Sequence, residues 1–260
     1  MAEPVKVTFD KNVYEFVVDP NKDAPITHDD RHSYEIIHNL ILQGRIIPFI
    51  SETILTYEAV AKKDRLKVLS KPERLLIKAD GSKITIGSNP EIFPGAHAKD
   101  DRYLNAAISM GFKILPGKRL GKLVNSSIKA EWYYYIDKDY LQTSERFSEI
   151  VKIIQGLGGG YTQYIDLITT PLNKHFNPLE RLTLFEGNPK ILNAAIAEWS
   201  DGDSVALHIT YGLTYFCTND NGKNAKLNAT LGPKVSAALE ERFAFKKVSP
   251  FQLVEIMVKY

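Results

Sequence analysis

Tyr211-Gly-Leu-Thr-Tyr-Phe-Cys-Thr-Asn-Asp220 is the stretch on which the fold turns. Gly212 reads as a turn after a helix, Tyr215–Cys217 as a short buried strand, and Thr218-Asn-Asp220 as its polar tip. Open α/β sheets place their ligand chemistry where a strand runs into a reactive residue at its carboxyl end. One acidic tip becomes a site only if other elements send carboxylates to the same edge.

The 260 residues carry 33 basic and 31 acidic side chains, a net charge of +2, and 44% hydrophobic positions. That is enough chain for one large domain or for a domain with a sizeable insertion. The near balance of charge makes no global case for a nucleic-acid binder and leaves a local patch as the route. A lone cysteine, Cys217, rules out an internal disulfide, fits a reducing compartment, and reads as a packing residue of an apolar strand. The N-terminal residues lack the apolar core of a signal peptide, and no run approaches ~18 apolar residues. A cytoplasmic protein without a membrane span is expected.

Outward from the opening stretch, Val5–Phe9 alternates and ends at Asp10, a first strand that delivers a carboxylate. Ser33 caps an expected helix with Ile36, Ile37, Leu40 and Ile41 on one face, stopped at Gly44. Ile46–Ile50 is a short apolar strand in which Pro48 prevents full pairing. Ser51 or Thr53 then caps a helix carrying Glu58 about one turn in. Lys62, Lys63, Arg65, Lys67, Lys71, Arg74 and Lys78 make the most basic segment, either a solvated face or a contact surface for phosphates. Asp80-Gly81 suggests a tight turn before a strand at Lys83–Gly87. Residues 101–115 form another helix–strand unit, without an acidic tip, followed by a basic loop with Lys118 and Arg119. Glu131–Ile136 is an aromatic strand or part of a helix, read as a packed cluster in preference to a base-stacking platform.

Ser144 caps a helix that stops at Gly156. The run Gly156-Leu-Gly-Gly-Gly160 lacks the Gly-Lys-Ser/Thr ending of a phosphate loop and reads as a helix stop with a turn. A helix follows at 161–168. His28 and His175 have no second ligand at metal spacing. Pro189 opens a helix ending near Trp199, and Ser200-Asp-Gly-Asp203 starts a second, shorter one that leads to Gly212. Asp203 lies at that helix start, where Asp201 can play the same part. A helix at 234–242, a strand at 245–248 and a helix from Phe251 close the chain.

If the strands are parallel, Asp10, Glu58, Asp203 and Asp220 converge at the carboxyl edge of one sheet. Carboxylates in close contact cannot all stay ionised without a counter-charge. A hard divalent cation, Mg²⁺ or Mn²⁺, held by oxygen ligands with several waters, supplies it.

Phe9-Asp-Lys-Asn-Val13, Ile50-Ser-Glu-Thr-Ile-Leu-Thr-Tyr-Glu58, Gly202-Asp-Ser-Val-Ala-Leu-His208, Tyr215-Phe-Cys-Thr-Asn-Asp220 and Lys247-Val-Ser-Pro-Phe-Gln-Leu-Val254 together resemble the PIN-domain family of metal-dependent ribonucleases. The resemblance implies a three-layer α/β/α domain over residues 1–260 with a central, mostly parallel sheet. Its middle is enlarged between about residues 62 and 190, with an insertion at roughly 62–145. By resemblance, Asp10, Glu58, Asp203 and Asp220 are the catalytic, metal-site acids, with Asp201 the rival of Asp203. Asn12 and Thr218 would orient Asp10 and Asp220 through hydrogen bonds. Lys62, Lys63, Arg65, Lys118 and Arg119 are the candidate substrate contacts. The implied activity is hydrolysis of RNA phosphodiester bonds with Mg²⁺ or Mn²⁺, by a free-standing enzyme or by a toxin with an antitoxin partner. The alternative is a PIN-like module that binds RNA or protein without catalysis. A haloacid-dehalogenase-type phosphatase needs a second Asp two residues after the first, where this chain has Asn12. The oligomeric state stays open.

Overall fold

Short β-branched and aromatic runs, each bounded by turn residues, become the strands of a central sheet. A computed structural model describes residues 3–25, 27–58, 60–66, 75–80, 83–88, 98–119, 125, 127–136, 140–176, 178–220 and 227–259. In chain order these form β1 (Val5–Phe9), α1 (Lys11–Val18), α2 (His28–Leu42), β2 (Ile46–Ser51), a π-helical turn (Ile54–Glu58), β3 (Leu75–Asp80) and β4 (Lys83–Ser88). Then come α3 (Ala98–Ser109), β5 (Lys113–Leu115), α4 (Tyr140–Gly156), α5 (Tyr161–Ile168), α6 (Pro178–Thr183) and α7 (Pro189–Thr210). The chain closes with β6 (Tyr215–Cys217), α8 (Pro233–Phe243), β7 (Lys247–Val248) and α9 (Pro250–Lys259).

The main sheet has five strands in the order β5-β2-β1-β6-β7. All its pairings are parallel. Because successive side chains leave a strand on opposite faces, each strand feeds two layers. Val7, Phe9, Ile46, Ile50, Ile114 and Cys217 pack with α1, α2, α3 and α9 on one face. Phe49, Leu115 and Phe216 pack with α4, α7 and α8 on the other. The result is a three-layer α/β/α architecture, and each wholly buried Ile or Phe contributes about 1.5–3 kcal/mol. A third apolar cluster joins Tyr57 of the π turn to Tyr164, Ile168, Ile196 and Trp199.

Several elements differ from the sequence expectation. Pro48 is not one of them: it stands opposite Val7 of β1 and is unpaired on its β5 side, the incomplete pairing expected of it. The lost N–H is tolerated because β5 begins its pairing only at Phe49. The aromatic run is neither strand nor long helix. A 3₁₀ turn (Ala130–Trp132) leads to one parallel bridge between Tyr133 and Ile114, which leaves Tyr135 exposed. Ser144 is one turn inside α4, not its cap. The expected break at 200–203 is absent: α7 runs unbroken for 22 residues.

Asp80 stands opposite Lys83 where β3 and β4 pair antiparallel, and Gly81 of the expected turn lies outside the described residues. This pair forms a separate two-stranded sheet, whereas β5, also within the enlarged middle, belongs to the main one. Lys67, Lys71 and Arg74 of the basic segment lie outside the described residues. Among the described residues, no helix is long and apolar enough to cross a membrane.

Candidate active site

The strand order reverses between β1 and β6: the chain leaves β1 toward β2 on one side and later returns to β6 on the other. A crevice opens at such a switch point, beyond the carboxyl ends of the strands. Here it is a cleft of ≈ 360 Å³ whose lining includes Asp10, Lys11, Glu58, Asp201, Asp220 and Leu231.

Asp10 follows directly on β1 and caps α1, its Oδ1 accepting the Lys11 N–H at 2.6 Å. The Thr218 hydroxyl, at the tip of β6, donates to Asp10 Oδ2 at 2.7 Å, and Thr218 Oγ1 in turn accepts the Asp220 N–H at 3.0 Å. One threonine thus ties two strand ends together across the switch point. Burial pushes the Asp10 carboxyl up to about 6, against the hydrogen bonds of Thr218 and Lys11 and with the help of Glu58 and Asp220.

Glu58 ends the π turn. Burial raises its carboxyl, opposed by the nearby charges of Lys11, Arg65 and Lys62. Its backbone carbonyl, left without a helical partner as at any helix C-terminus, accepts from Lys11 Nζ at 2.8 Å and Arg65 Nη2 at 3.1 Å. Asp201 comes from the middle of α7. Burial raises its carboxyl well above the usual range, and Asp10, Glu58, Glu198 and Asp220 all push in the same direction. These mutual repulsions place the five acids in one electrostatic neighbourhood.

Asp203 is not part of it. Its side chain is 1% exposed, ion-paired with Arg119 and bonded by Trp199 Nε1 at 3.2 Å. Burial raises its carboxyl, and Arg119 and Trp199 oppose that rise. The rival position, Asp201, is the one that lines the cleft. Asn12 does not orient an acid either. It accepts the Asn219 N–H at 3.2 Å and so fastens the β6 tip to α1.

Arg65 and Arg119, expected as substrate contacts, are turned to internal partners. Arg119 clasps Asp203 and lies over the Phe147 and Tyr161 rings. Arg65 is 4% exposed and donates to the Val60 and Glu58 carbonyls. Lys62 and Lys63 are exposed, and Lys118 is half-buried.

Two residues of the site escaped sequence reasoning. Lys11 lines the cleft beside Asp10. Glu198 is held on one oxygen by three donors, Gly160 N at 2.8 Å, Thr230 N at 2.7 Å and Thr230 Oγ1 at 2.6 Å. Reading α7 as continuous would have exposed Glu198, since it stands three residues before Asp201 on the same helix face.

The side chains of the cleft that could ligate a metal offer oxygen, mostly carboxylate, which suits a hard cation. Among the described residues, no three acidic, histidine or cysteine side chains are gathered closely enough to grip one ion by themselves. An ion that keeps most of its waters and takes one or two carboxylates is compatible with that spacing. No family model, no curated protein and no solved structure matches this chain.

Proposed function

We propose that the protein is a divalent-metal-dependent ribonuclease of PIN-like type, with Asp10, Glu58, Asp201 and Asp220 as its catalytic acids. One observation carries this: four carboxylates from four separate elements line a single cleft at the switch point of a parallel sheet. Mg²⁺ or Mn²⁺, when bound, would activate water and stabilise charge on a phosphodiester. Asp10 and Asp201, raised together by burial and mutual repulsion, would be the groups most relieved by a cation. Thr218 keeps Asp10 oriented, and Glu198, itself fixed by Thr230 and Gly160, borders the site next to Asp201. The same chemistry would serve a free-standing enzyme or the toxin of a toxin–antitoxin pair.

Purified protein should cleave single-stranded RNA with Mn²⁺, and Asp10→Asn or Asp201→Asn should abolish cleavage while Asp203→Asn retains it in whatever fraction stays folded. Equal activity in Asp10→Asn, or none in the wild type with either metal, would sink the proposal. The spacing of the acids, with no three gathered on one point, favours a second reading: a PIN-like RNA- or protein-binding module without catalysis. Calorimetric titration separates the two, because the module takes up no Mn²⁺ at these acids.

A further inference from the structure

Four carboxylates repel a polyanion, so an RNA-cleaving cleft needs a cation of its own beside any metal. Among the described residues, the cations that line this one are Lys11 and Lys22. Lys22 is committed. It is ion-paired with Glu15 and seated over the rings of Phe16 and Tyr103 at 4.6 and 5.1 Å. The arginines expected to contact substrate, Arg65 and Arg119, are committed too.

Lys11 differs from all of these. Its ammonium donates once, to the Glu58 carbonyl at 2.8 Å, and forms no ion pair with any described acid although acids surround it. An ammonium has three N–H donors, so two remain for a ligand. Its stem is fixed at both ends: its backbone N–H is held by Asp10 Oδ1, and its head is held by the π turn. A point charge with spare donors, fixed between Asp10 and Glu58, is suited to a phosphoryl oxygen. We propose that Lys11 is the substrate-phosphate contact of the cleft, binding a non-bridging oxygen of the phosphodiester that lies over the acids. This rests on the nuclease reading above.

The test compares wild type, Lys11→Met and Lys11→Arg in Mn²⁺, on a fluorescein-labelled oligouridine and on bis(p-nitrophenyl) phosphate, with Mn²⁺ affinity measured in parallel. Lys11→Met should lower kcat/KM about 100-fold on both substrates. Its Mn²⁺ affinity should stay equal or tighten, because a neighbouring cation has left, and Lys11→Arg should recover part of the loss. A merely structural lysine would behave differently, losing Mn²⁺ binding and activity together as Glu58 shifts; that result overturns the proposal, as does wild-type kcat/KM in Lys11→Met. If the wild type binds oligouridine without cleaving it, the nuclease reading falls while Lys11 is still judged. The slope of log affinity against log salt should then drop by about 1 in Lys11→Met, and an unchanged slope overturns it. A wild type that neither cleaves nor binds overturns both.

Discussion

Asp201 and Asp203 are two residues apart on one helix, and about 200° of rotation separates their side chains. Asp201 shares its face with Ala197, four residues earlier, and with the cleft. Asp203 shares its face with Trp199, also four residues earlier, whose indole N–H it accepts. The first acid therefore meets water and the second meets Arg119 in the interior. Removing one partner of a buried pair leaves the other uncompensated. Asp203→Ala should accordingly cost on the order of 3 kcal/mol in urea unfolding, whereas Asp201→Asn should cost little or stabilise by relieving repulsion. Similar stabilities for the two variants would contradict this division of roles. In the sequence both acids fit a helix cap, and only the phase of a continuous helix tells them apart. Lys11 was hidden for a related reason: it adjoins Asp10 in the chain, and nothing local shows that its head reaches a carbonyl 47 residues away.

At the scale of elements, α7 shows why local signals misled. Ser200-Asp-Gly-Asp203 has the composition of a helix start, and Gly202 looks like a breaker. In the fold, Gly202 is where α7 passes the turn before α5, and a Cβ there would meet Gly160 Cα at 2.9 Å and Thr230 Oγ1 at 3.3 Å. Gly160 itself has φ +59°, in the left-handed region that favours glycine, and its N–H is bonded to Glu198. The two glycines thus serve a close crossing, which packing decides and periodicity cannot show. Gly202→Ala gains about 1 kcal/mol in helix propensity against an overpacking cost of about 1–3 kcal/mol. A net loss on the order of 1 kcal/mol is expected, with a lower Tm; a more stable variant would mean that the crossing relaxes freely. The strands were legible, because their apolar runs end abruptly at polar tips. Strand order was not, since no local pattern records which strand lies beside which, and it is this order that makes Asp10 and Asp220 neighbours.

For the whole molecule, the buried charges set opposed responses to pH. His208 lies on the α7 face of the sheet, 1% exposed, with Nδ1 2.8 Å from Thr8 Oγ1, and burial lowers its pKa from 6.5 to about 3. The unfolded imidazole takes up its proton first, so the contribution of His208 to stability is full above pH 6.5 and is lost as pH falls toward 3. Asp10 runs the other way. Its native carboxyl, raised from 3.8 to about 6, holds a proton that the unfolded chain has released. Its contribution is full below pH 3.8 and gone once pH passes about 6. At ~1.4 kcal/mol per pH unit, the limits are about 5 kcal/mol for His208 and about 3 kcal/mol for Asp10. Between pH 3.8 and 6 these two limbs have opposite slopes and largely cancel, so they show up separately only when one of the two groups is removed. Asp10→Asn removes only the acid's limb, apart from a pH-independent offset. In EDTA, the stability of Asp10→Asn relative to wild type should rise by up to about 3 kcal/mol between pH 4 and pH 6 and then level off. Mn²⁺ at pH 7 should close that gap by stabilising the wild type, since an ion that binds the native state alone adds its binding free energy to folding. Urea unfolding of both proteins across this range, with and without Mn²⁺, checks both limbs. A difference that is flat in pH would mean that Asp10 is not the strained acid of the cleft, and an Mn²⁺ shift of equal size in both proteins would place the ion elsewhere.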